Sequence, residues 1–266
     1  MVSGQAMDVE TIPGADSIYL QEGNSRGVLL LHGFGDTPQT LQLLARELHE
    51  TGYDVAAPLL PGHGINVESF MRSRREDWLA CARVEFERMR ATHESVSLAG
   101  LSMGGALAAI LAAETRDVPA LVLMAPYLDM PRGVKVAAAS HWIWGSLAGA
   151  LTGSNPGSIL DPAEREKNLG YGAYSGRLLY ELWRLAAQAR HSLRGITAPA
   201  MLIQSRTDPR IAPAVAEDAF AAIGAADKEL VWVEGAGHII TVDYGRAKVF
   251  EQVKRWIAAH PQPMTA

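Results

Sequence analysis

The chain has 266 residues, 48% hydrophobic and 20% charged, with a net charge of −5. That fits a soluble globular protein with room for one large α/β domain and an inserted subdomain. The acidic balance, without a block of Lys and Arg, argues against nucleic acid as a partner, and a single cysteine, Cys81, leaves no intramolecular disulfide to form.

Residues 1–11 carry neither a positive start nor an apolar core, so no signal peptide is expected and a cytoplasmic location is the default. A short edge strand is expected at 17–20. Residues 27–31 form a continuous apolar run, the pattern of a strand buried on both faces. The run ends in His32-Gly33-Phe34-Gly35-Asp36-Thr37-Pro38. Thr37 is placed to cap a helix over 40–50, with Pro38 at its first position. A strand at 53–57 follows, then the tight loop Pro61-Gly62-His63-Gly64. Residues 74–90 read as an amphipathic helix, with Trp78, Ala82, Phe86 and Met89 near one face. Strands at 95–99 and 119–125 flank an alanine-rich helix. This alternation predicts a mostly parallel sheet with helices on both faces.

Between 129 and 194 no convincing strand is visible. An apolar helix is expected around 134–151 and an amphipathic one around 177–193, joined through a Gly/Ser/Asn/Pro loop. The charge-free stretch 136–160 is too broken to form a membrane span of about 20 apolar residues. It reads as a buried or groove-lining helix with scope for weak lipid contact. The expected division is a core of 1–128 and 195–266, with 129–194 as a helical cap. The sheet pattern resumes with strands at 200–204 and 229–233 and helices at 213–223 and 245–259.

The stretch Gly100-Leu101-Ser102-Met103-Gly104 reads Gly-x-Ser-x-Gly between a strand and a helix. Small residues at 100 and 104 let the chain turn sharply and hold Ser102 exposed as a nucleophile. A serine needs a base, and the base needs an acid to fix its tautomer. His238 follows the 229–233 strand through a loop with glycines at 235 and 237, which give it a flexible approach. Asp208, after the 200–204 strand, is the candidate acid, and Asp129, after the preceding strand, is its rival. Asp243 reads as a cap or lead-in for the last helix. The order Ser102, Asp208, His238 is that of an α/β-hydrolase. Oxyanion donors are expected at the main-chain N–H groups of Met103 and Phe34. His32 reads as a loop-holding residue. His63, Trp142 and Leu147 are candidates for substrate contact. No His, Cys or carboxylate set has metal-ligand spacing.

Together, Leu30 through Pro38, Leu60-Pro61-Gly62-His63-Gly64, Gly100 through Gly105, Asp208 and Gly237 through Asp243 resemble the α/β-hydrolase superfamily over nearly the whole chain. Within it the chain is most similar to bacterial carboxylesterases and monoacylglycerol lipases. The resemblance implies a cofactor-free, metal-free serine hydrolase of medium-chain esters or monoacylglycerols, with the triad Ser102, Asp208 and His238. The same triad would also serve carbon–carbon or amide hydrolysis, or perhydrolysis. A binding protein on this fold usually lacks a triad member, and none is missing here. The chain departs from the pattern after Asp208, where Pro209-Arg210-Ile211 stands in place of a small or β-branched pair.

Overall fold

The computed structural model describes residues 10–143, 151–152 and 155–262. Seven strands form one sheet: β1 (Ile18–Leu20), β2 (Arg26–Leu31), β3 (Asp54–Ala57), β4 (Ser95–Leu101), β5 (Leu121–Met124), β8 (Ala200–Ser205) and β9 (Lys228–Val233). They lie in the order β1-β3-β2-β4-β5-β8-β9. Only the edge strand β1 is antiparallel to its neighbour; every other pairing in this sheet is parallel.

The continuous apolar runs of the central strands are explained by a core on each face. Leu29, Leu31, Leu98, Leu121, Leu123 and Leu202 point to one side. There they meet α3 (Arg75–Arg90) and α4 (Met103–Glu114), together with α7 (Gly176–Ser192) and α8 (Pro213–Ala222). Val28, Leu30, Ala99, Val122, Met201 and Ile203 point to the other side, against α1 (Gln42–Glu50) and α9 (Arg246–Ala259). Successive strand residues thus alternate between two dry interfaces, as the period of two requires.

Three local features differ from the sequence reading. Thr37 makes no side-chain cap bond. The chain instead enters α1 through a 3₁₀ turn, Pro38–Leu41, in which the Thr40 hydroxyl donates to the Thr37 carbonyl. A short helix, α2 (Val67–Arg72), follows the His63 loop, started by the Asn66 side chain accepting the Ser69 N–H. The segment between β5 and β8 does contain strands. β6 (Leu151–Thr152) pairs antiparallel with β7 (Ala173–Tyr174), and two residues are too few to leave a periodic signature. That segment also holds α5 (Arg132–Ala139), which ends well short of the helix expected over 134–151, and α6 (Pro162–Lys167), capped by Asp161. α7 lays Leu178, Leu182, Leu185 and Ala189 into the same core as the sheet.

The loops at the carboxyl ends of β2, β4, β8 and β9 carry Phe34, Ser102, Asp208 and His238 to one edge of the sheet, where open parallel sheets build their sites.

Candidate active site

Ser102 sits between β4 and α4 at φ 54°, ψ −115°, a left-handed conformation that side chains rarely adopt. The flanking glycines permit it. A Cβ on Gly104 would lie 1.9 Å from the Leu31 carbonyl oxygen, and one on Gly100 would lie 2.2 Å from the Gly104 carbonyl oxygen. The sharp turn therefore requires bare backbone at both positions. It leaves the Ser102 hydroxyl 2.8 Å from His238 Nε2.

His238 Nδ1 lies 2.8 Å from Asp208 Oδ2. Because a carboxylate only accepts, Nδ1 carries the proton and Nε2 is free to accept from the serine hydroxyl. Asp208 is itself fixed on both oxygens. Oδ1 accepts the N–H groups of Arg210 and Ile211 at 2.7 and 3.0 Å, and Oδ2 also accepts Gln204 Nε2 at 2.8 Å. Burial pushes its pKa upward. The hydrogen bond and charge of His238 and the two N–H donors outweigh that and hold the carboxyl below its ordinary value.

Asp129, the rival acid, faces elsewhere: it pairs with Lys135 and, at 3.1 Å, with Arg190. Phe34 stands on the loop after β2, its ring against Phe70 and Trp78. Among the described residues its N–H has no hydrogen-bond partner. The Met103 N–H belongs to the first turn of α4, where a helix offers no internal acceptor.

His63 and Trp142 do not reach this site. His63 is wholly buried between His32, Phe70 and Trp78, and its pKa is lowered to about 4, burial being the main cause. Its neighbours are aromatic rings because the loop glycines fold it inward, toward the protein rather than the substrate. Trp142 is 75% exposed on the outer surface. Leu147 lies outside the described residues. His32 is structural, as expected: its Nε2 accepts the Leu60 N–H, so the protonated Nδ1 donates to the Gly33 carbonyl.

Sequence reasoning missed the residues that hold the loops together. The Asp243 carbonyl accepts the Arg246 N–H where the chain leads into α9, but its side chain does not cap that helix. Fully buried, it accepts N–H groups from Gly237, Leu160 and Asp161 at 2.7, 2.8 and 3.0 Å. It thereby joins the His238 loop to the segment before α6. Ser158 closes the same junction, its carbonyl accepting the N–H groups of both His238 and Ile239 at 2.9 Å. Gly237 is needed for this approach, since a Cβ there would fall 2.2 Å from the Gly157 carbonyl oxygen. The loop is pinned, not flexible. An Asp following the histidine was the one available signal, and its target could not be seen without the fold.

Ser102 and His238 open into a cavity of about 690 Å³. Its lining includes the apolar side chains of Val134, Leu179 and Leu182, from α5 and α7. The polar side chains of Asp36, Asn168 and Arg210 line it as well. Burial raises Asp36 to about 6, against the opposing pull of His238 and Arg210.

The family described as serine aminopeptidase, S33 matches residues 23–244 of this chain. The chain belongs to that family. Within the family's wider kin it is 30% identical over 249 residues to a thermostable monoacylglycerol lipase of Bacillus sp. (strain H-257), covering 94% of this chain and 96% of that one. It is 28% identical over 243 residues to a carboxylesterase of Bacillus subtilis (strain 168), covering 89% and 94%. A solved structure from work on LipS and LipT, two metagenome-derived lipolytic enzymes, superposes with a TM-score of 0.85 at 28% identity, covering 94% of this chain and all of that one. This S33-family chain is an α/β-hydrolase of the esterase and lipase type.

Proposed function

We propose that the protein hydrolyses carboxylic esters of short-to-medium acyl chains, or monoacylglycerols, through an acyl-enzyme on Ser102. The observation that carries this reading is the unbroken chain Ser102 Oγ, His238 Nε2, His238 Nδ1 and Asp208 Oδ2, with both hydrogen bonds at 2.8 Å, opening into the cavity. The monoacylglycerol lipase and carboxylesterase relatives support the choice of ester over other bonds.

In the proposed reaction, His238 Nε2 takes the Ser102 proton as Oγ attacks the ester carbonyl. The N–H groups of Met103 and Phe34 receive the developing oxyanion. His238 gives the proton to the departing alkoxide, and the serine ester remains. Water, deprotonated by the same nitrogen, then attacks that ester, and the acid is released as His238 returns the proton to the departing Ser102 Oγ. Asp208 keeps the imidazole in the Nδ1–H tautomer and stabilises the imidazolium formed in each step. The apolar side chains from α5 and α7 take the acyl chain, and residues 129–194 act as a cap over the site with α7 anchored in the core. A fluorophosphonate probe should label the wild type and not Ser102→Ala. Labelling of Ser102→Ala to the same extent would refute the assignment.

A further inference from the structure

The leaving alcohol must lie beside His238 Nε2, because that nitrogen supplies its proton. The groups around this side of the cavity therefore meet the alcohol half of the substrate. They are polar. Arg210 stands two residues after Asp208 and lines the cavity. Its main-chain N–H is spent on Asp208, while its side chain is held by Nε donating to Ser158 Oγ at 2.8 Å. Among the described residues the guanidinium has no other partner and no carboxylate within ion-pair distance, so both terminal nitrogens are free to donate. Arg165 lines the same cavity, with Nη1 turned to the Pro156 and Ile159 carbonyls at 3.1 and 3.4 Å. Among the described residues the one carboxylate in the lining is Asp36, whose burial favours its neutral form. The lining thus carries two fixed positive charges against at most one negative charge.

We infer that Arg210 forms an anion subsite for the alcohol half of the ester, so that the preferred substrates carry a phosphate or carboxylate there. A guanidinium oriented by one hydrogen bond and left with two open donors suits a planar or tetrahedral oxoanion. Arg210 stands in the Pro209-Arg210-Ile211 stretch, where the sequence departs from the pattern that the resemblance leads one to expect. The inference rests on the esterase reading above.

The test compares kcat/KM on two matched pairs: 1-butyrylglycerol 3-phosphate against 1-butyrylglycerol, and the butyrate ester of glycolate against ethyl butyrate. The first pair reads phosphate and the second carboxylate. In the wild type at least one charged ester should exceed its neutral partner by about tenfold or more. Arg210→Gln should lower that ratio about tenfold, mainly through KM, and Arg210→Lys should restore part of it. A role confined to bracing Ser158 would lower both members of a pair alike and leave the ratio unmoved. A second measurement needs no variant: glycerol 3-phosphate should inhibit the wild type competitively at concentrations where glycerol does not. Equal ratios in wild type and Arg210→Gln, or a preference for both neutral esters, would overturn the inference. Absence of turnover on all four esters would overturn the esterase reading and this inference with it. Turnover of the neutral esters alone would overturn this inference only.

Discussion

At the scale of single residues, the site depends on positions where backbone meets backbone. Gly104 is the tightest, since any Cβ there would collide with the carbonyl oxygens of Leu31 and His32, at 1.9 and 2.7 Å. Neither carbonyl can yield without moving β2. Gly104→Ala should therefore destabilise the fold by about 3 kcal/mol or more and abolish ester turnover. Urea unfolding would check the first part; an unchanged midpoint would contradict the close approach. Asp36 carries a different cost. Its pKa is raised from 3.8 to about 6, so the folded chain holds that proton more tightly than the unfolded one. The stability this confers is full below 3.8 and is lost as pH rises through about 6. Asp36→Asn should be the more stable protein at pH 8, by roughly 1–3 kcal/mol, and match the wild type below about pH 4. Melting temperatures across that range would show a gap that opens with pH. A constant gap would contradict the raised pKa.

At the scale of elements, the strand ends and loops are braced against each other rather than free. Ser205 and Thr207 both donate to the Ala236 carbonyl, tying the Asp208 loop to the His238 loop. Asp243 ties the His238 loop to the segment before α6. Each of its oxygens accepts two N–H groups, Oδ1 from Asp161 and Tyr244 and Oδ2 from Leu160 and Gly237. Asp243→Asn would place an amide NH₂ against two of these donors. It should cost about 1–3 kcal/mol of stability and lower kcat, with a smaller effect on KM. An unchanged kcat would show that the pin does not position His238. The acid assignment is tested on two neighbouring elements. Asp208→Asn should reduce kcat by about 10³–10⁴-fold, because the imidazole loses its enforced tautomer. Asp129→Asn, which weakens the ion pairs from Asp129 to Lys135 of α5 and to Arg190 of α7, should keep turnover and lower the melting temperature slightly. The reverse pattern would move the acid to Asp129. The parallel strands and the Gly-x-Ser-x-Gly turn were legible in the sequence, because long apolar runs and a sharp strand-to-helix turn leave strong local signatures. The pins were not, because Asp243 and Ser158 act across 82 and 80 residues of chain respectively. His63 was misplaced for a related reason: a histidine between glycines looks accessible until Phe70 and Trp78, from helices the loop precedes, are seen to enclose it.

At the scale of the whole molecule, one sheet with a dry core on each face forms a rigid platform. Ser102, Asp208 and His238 stand on three of its strand ends, and α7 belongs to the core while also lining the cavity. Among the described residues no helix is long and apolar enough to cross a membrane. Above the platform the cavity is lined by Val134, Leu179 and Leu182 together with Asp36, Asn168 and Arg210. A volume of about 690 Å³ is in the range of pockets that enclose a small organic ligand. Acyl groups should therefore show a length limit. The most direct measurement is the hydrolysis rate of p-nitrophenyl esters of increasing acyl length by wild type and Ser102→Ala. The account predicts a maximum at short-to-medium chains in the wild type and a rate near background at every length in the variant. Equal hydrolysis by both proteins, or no hydrolysis of any ester by the wild type, would contradict it.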